Sequence, residues 1–247
     1  MLRQHTVRFL AEHLVSFPKR NEVPDFPTFS LLLRITGKYE LSCIRSQLLE
    51  IIRGVYPDNF EGLTLLKPLG ERIFNGPTSH PNEVLNLFVQ QKLISALPMA
   101  YYMAARRGLD SLMSRDVHRN ATLLPGALQC ATRALMTLRE VERDEMHRLI
   151  FRPKDSCPCS ASKCPLHTPT SSAALTAYQK VFDRAVSASQ LGTKVLQVLE
   201  FYGTHLSDLQ DPGPSICSSC VGKWESGHAE LRRKTWATLP DIFGLND

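Results

Sequence analysis

Six residues in two short stretches have the side chains best suited to chemistry. The first stretch, DSCPCSASKCPLH at 155–167, holds Cys157, Cys159, Cys164 and His167, and SICSSC at 215–220 adds Cys217 and Cys220. Five of the chain's seven cysteines fall in these two pieces. Zinc takes four thiolate or imidazole ligands in a tetrahedron, usually as two close pairs from separate segments. Cys157-x-Cys159 with Cys164 and His167 offers one half, and Cys217-x-x-Cys220, opening a helix, offers the other. Four of the six would close the shell, so the metal would be structural. It would pin the loop after one long helix to the start of the last. The first half is not a C-x-x-C, and two other readings stand beside zinc: unliganded surface thiols, and a disulfide or redox pair. A thioredoxin-like use of Cys217-x-x-Cys220 lacks the βαβ setting that motif needs. Cys43 and Cys130 lie within helical patterns and read as small buried hydrophobes.

Catalytic templates do not fit the sequence. It contains no G-x-G-x-x-G, P-loop, G-x-S-x-G or H-E-x-x-H. His228-Ala229-Glu230 follows Cys217-x-x-Cys220, the reverse of the order in zinc deaminases, where H-x-E comes first. Glu230 therefore reads as a solvated helix residue. His5, His13, His80, His118, His147 and His205 are scattered, without a Cys or carboxylate at ligand spacing. The expectation is a chain that is not an enzyme.

Composition narrows the class further. With 247 residues, 43% of them hydrophobic, the chain can bury a core. The net charge of +5 is dispersed, and basic residues in VERDEMHRLIFRPK alternate with acids, which argues against a nucleic-acid surface. No apolar run reaches the ~18–20 residues of a membrane helix. The opening MLRQHTVRFLAEHLVSF is interrupted too often by charge for a secretory signal. The expected address is intracellular, cytoplasmic or nuclear, and not secreted. The sequon Asn120-Ala121-Thr122 would then have no role.

The elements that must position these residues are all helical in spacing. Pro27 suits the first turn of a helix over FSLLLRITGKY, which Gly37 ends. Leu41, Ile44, Leu48, Ile51, Ile52 and Val55 share one face of the next helix, stopped by Pro57. EGLTLLKPLGERIFNGPTSHP is a connection punctuated by Gly and Pro. Pro81 and an acidic first turn open a helix over HPNEVLNLFVQQKLISALP, and Pro98 separates it from MAYYMAARRG. After LLPGAL, residues Leu128, Ala131, Leu135 and Leu138 mark a long helix running towards Phe151. Residues 152–172 read as a Cys-, Pro- and Ser-rich loop. A long apolar stripe from Leu175 to Tyr202 follows, then the break DPGPS and a last amphipathic segment ending TWATLPDIFGL. The expected fold class is all-α, an irregular helical bundle, whose Cys-rich loop would be a small zinc staple on the zinc reading. Its parts are a remnant helix and linker (1–26), a helical region (27–151), the loop (152–172) and a long helix with a C-terminal helical segment (173–247).

Several of these stretches together resemble one family. FPTFSLLLRITGKYELSCIRSQLLEIIRGVYP resembles the last helices of a BTB/POZ domain, and HPNEVLNLFVQQKLISALPMAYYMAARRGLDSL resembles the helical extension that follows it in fungal (basidiomycete-type) BTB proteins. The ending from Trp236 to Leu245 is similar to the W…LP.IFGL signature of that family. The resemblance spans roughly residues 26–247. The strands and dimer-forming helix at the front of a BTB domain have no counterpart in residues 1–26, so it implies a member shortened at the N-terminus. It also implies a non-enzymatic protein-protein interaction module, an adaptor with protein partners. Homodimerisation would ordinarily rely on the absent front. The alternative is a transcription-linked or DNA-associated member with structural zinc. Leu31, Leu32, Leu33, Ile35 and Leu41 would lack part of their usual packing partners, and an apolar face exposed there would be a sticky surface. The Leu31–Tyr39 face and the Met99–Tyr102 segment are the candidate contact surfaces, though the spacing of each also suits core.

Overall fold

The computed structural model describes residues 25–65, 81–106, 108–113, 122–151 and 218–245. Of these, 83% are α-helical and none is in a strand, so the described chain is all-α. The described residues fall into two compact units, one of residues 25–55 and one of the remainder.

In the first unit, α1 (Phe26–Lys38) begins where the Asp25 carboxylate accepts a 2.8 Å hydrogen bond from the Thr28 amide. That satisfies one of the orphan donors of the first turn. Pro27 sits in the same turn, where its missing N–H costs nothing. Phe26, Phe29, Leu33 and Thr36 recur at three and four and are buried, as is Leu32. The Thr36 hydroxyl donates back to the Leu33 carbonyl at 3.0 Å, so its burial leaves no unmet donor. α2 (Ser42–Val55) packs on α1 through a face that buries Leu48 and Ile52 and half-buries Ile44, Ile51 and Val55. That is the face its spacing predicts.

Gly37 does not end α1. The helix runs on to Lys38 and is closed by Glu40 in the left-handed region at φ 54°, with the Leu41 amide bonded to the Thr36 carbonyl at 3.0 Å. A second closure of this type follows α4 (Pro81–Gln90). There Lys92 takes φ 53° while the Leu93 amide reaches the Phe88 carbonyl at 3.0 Å. Both are Schellman ends in which a residue with a Cβ holds the position glycine prefers. Left-handed backbone costs an L-residue roughly 1–2 kcal/mol, part of which glycine returns through its freer unfolded state. Glu40→Gly and Lys92→Gly are each expected to stabilise the chain by ~0.5–1 kcal/mol, measured as a raised denaturation midpoint.

The second unit starts at Tyr56. Asn59 caps the short α3 (Phe60–Leu65), its side-chain oxygen 2.7 Å from the Gly62 amide. In α4, Pro81 opens the helix, Glu83 lies in its first turn, and Val84, Leu85, Leu87 and Phe88 are buried. A 3-10 turn (Ile94–Ala96) leads into α5 (Leu97–Ala105). The helix expected to run to Pro98 stops at Gln90, and Pro98 falls inside the first turn of α5 and does not separate the two helices. Every other residue of α5 is buried. A helix apolar all round belongs in the middle of a bundle, and α5 packs on α4, on α6 (Leu109–Met113), on α7 (Pro125–Phe151) and on α8 (Ser218–Ile242).

The buried face of α7 is Ala127, Ala131, Ala134, Leu135 and Leu138, with Leu128 half-buried beside it. α7 packs on α5, and alanines at three of these positions, with Ala100, Ala104 and Ala105 also buried on α5, suit a close approach of helix backbones. The turn before α7 is held from a distance. Asn86 of α4 donates to the Thr122 carbonyl at 2.8 Å and accepts from the Leu124 amide at 2.9 Å. α8 buries Leu231, Thr235 and Leu239 four residues apart, and its Arg232 guanidinium lies 5.6 Å from the Phe60 ring centre. Among the described residues, no helix is long and apolar enough to cross a membrane.

Candidate functional site

Cys157, Cys159, Cys164, His167 and Cys217, together with the loop 152–172, lie outside the described residues. Cys220 falls in the first turn of α8, which begins at Ser218, directly after Cys217. Among the described residues, no three His, Cys, Asp or Glu side chains are arranged to hold a metal. Cys43 is exposed, contrary to its reading as a buried hydrophobe. It sits at the second residue of α2, one turn before the buried face begins.

Cys130 is half-buried on α7 and belongs to a junction of three elements. Its thiol donates to the Phe243 carbonyl at 2.9 Å, across 113 residues of chain. The Phe243 ring stacks on Tyr101 of α5, centroids 4.9 Å apart and planes at 19°. α8 is closed by Gly244 at φ 62°, with the Leu245 amide on the Pro240 carbonyl at 2.8 Å and the Gly244 amide on the Asp241 carbonyl at 3.0 Å. This Schellman end turns Phe243 and its carbonyl inward to meet α5 and α7. The LPDIFGL ending is therefore a structural latch, made of a plug residue and the cap that aims it.

The electrostatics of the junction keep its protons in place. Burial, and then the neighbouring Cys130, pushes Tyr101 up from 10.0 to about 12. Burial also pushes the Cys130 thiol above 9.0, while the hydrogen bond with Tyr101 and the charge of Arg133 pull it partly back. A thiol held protonated is a poor nucleophile and metal ligand. Raised folded values mean that these groups favour folding fully below their ordinary pH of ionisation. That contribution is lost as pH rises through the folded values, because the unfolded chain ionises first. Stability is expected to fall above pH 9.0, with the phenol's share lost between pH 10.0 and about 12. Tyr101→Phe should remove the later part of that fall, read from denaturant midpoints across pH alongside tyrosinate absorbance.

Of the two candidate contact surfaces, Met99–Tyr102 is core, with all four residues buried. The α1 face is divided. Leu32 and Leu33 are buried, while Leu31 is 45% exposed and Tyr39 42% exposed. Ile35, half-buried, lies between them at four-residue spacing, so Leu31 and Ile35 form a stripe on α1 that Tyr39 extends at the C-cap, its amide bonded to the Ile35 carbonyl at 2.9 Å. Exposed Arg34 borders the stripe, and the Lys38 ammonium sits 5.5 Å from the Tyr39 ring centre. At the other end of the chain, both oxygens of Glu230 are engaged by Arg233, at 2.8 and 3.0 Å, with Lys234 at 3.7 Å. Arg233 is the main cause of its carboxyl lying below the usual range. Glu230 is thus a surface ion-pair residue, and it offsets two cations that would otherwise add to a basic surface.

Sequence reasoning did not find the Asn86 clamp or the meeting of Tyr101, Cys130 and Phe243. Asn86 is a polar residue in an apolar helix, a signal that could have singled it out. Nothing local to Cys130 points to Phe243. No known protein family, curated protein or solved structure matches this chain.

Proposed function

We propose that the chain is a non-enzymatic protein-interaction module of the BTB type, acting as an adaptor for protein partners. The observation that carries this reading is the outward stripe of Leu31 and Ile35 on α1 with Tyr39 at its C-cap, Leu31 and Tyr39 well exposed beside Arg34 and Lys38. Tyrosine and arginine are the side chains that most often dominate binding at protein interfaces, and an apolar strip among them suits a partner helix or groove. The stripe is also where the resemblance to the last BTB helices begins.

The test is a Leu31→Glu/Tyr39→Glu double variant, which leaves the buried Phe29 and Leu33 untouched. Partners crosslinked to the wild-type chain are compared with those of the variant, and each one lost is purified and titrated against both. The expected result is an unchanged thermal transition with affinity reduced at least ~tenfold. Equal affinity for both chains would refute the reading.

The same proposal includes a structural zinc held by four of Cys157, Cys159, Cys164, His167, Cys217 and Cys220. Native mass spectrometry with and without a strong chelator is expected to give one chelator-sensitive zinc per chain. Cys217→Ser should then lower stability, since binding free energy at a structural site is folding free energy. A metal-free chain with these thiols free would remove the staple. The same spectrum reads oligomeric state: a dimer supports the BTB reading and a monomer counts against it.

A further inference from the structure

We draw no further inference here: the strongest candidate, the exposed apolar face that Leu109 and Met113 present one turn apart on the short helix α6, carries nothing because nothing in the structure shows what covers it.

Discussion

Phe243→Ala is expected to lower stability by about 3–5 kcal/mol, the usual cost of emptying an aromatic core site. Phe243 is only 2% exposed although it lies two residues from the last described position, so its burial comes from tertiary packing. The loss has two parts. One is the ring's transfer from water together with the cavity left behind, and the other is its stack on Tyr101, worth roughly 0.5–1.5 kcal/mol beyond area. Since single domains are stable by only ~5–15 kcal/mol, the substitution would remove much of the margin. Equilibrium urea unfolding of wild type, Phe243→Ala, Tyr101→Ala and the double variant forms a cycle that isolates the ring contact. A coupling within ~0.5–1.5 kcal/mol is expected, and zero coupling would mean the rings do not meet in solution. Phe243→Leu keeps most of the volume and should cost clearly less. Cys130→Ala removes one neutral hydrogen bond to a carbonyl that water can still reach if the end shifts, so ~1 kcal/mol is expected. If Phe243→Ala costs under ~1 kcal/mol, the LPDIFGL ending does not latch the bundle.

Phe88→Ala is the second large effect, again about 3–5 kcal/mol. Phe88 is fully buried on α4, and Tyr56 meets its ring edge-on at 5.0 Å and 77°. Tyr56 is itself 1% exposed, so the pair joins the start of the second unit to the helix that packs against α5. The backbone carbonyl of Phe88 accepts from the Leu93 amide in the closure of α4, and the alanine variant keeps that bond. The cost therefore reports on the ring and not on the helix end. Lys92→Gly, which acts on that end alone, should add to it nearly independently, with any departure from additivity measuring strain shared between ring and turn. Thermal unfolding followed by helical and aromatic circular dichroism checks both. Coincident loss of the two signals is expected if the ring pair belongs to the cooperative core. Early loss of the aromatic signal would place the pair outside it.

The sequence by itself determined the helical class, most helix starts and the faces of the regular helices. Pro27 and Pro81 occupy first turns, where proline's fixed φ and missing N–H cost least. The faces of α2 and α7 follow from 3.6-residue periodicity, since Leu48, Ile52, Ala131, Leu135 and Leu138 repeat on one side. For α5, periodicity carries no direction. LPMAYYMAA is apolar on every side, and only its central place among four helices shows why Met99–Tyr102 is core. Helix ends were equally out of local reach. Gly37 is the residue type that ends helices, yet Glu40 and Lys92 take the left-handed position, because the packed elements that follow fix where the chain must turn. The latch of Tyr101, Cys130 and Phe243 was decided by tertiary structure alone. Its members are 113 residues apart between Cys130 and Phe243, and contact over that distance leaves no periodic trace in either segment.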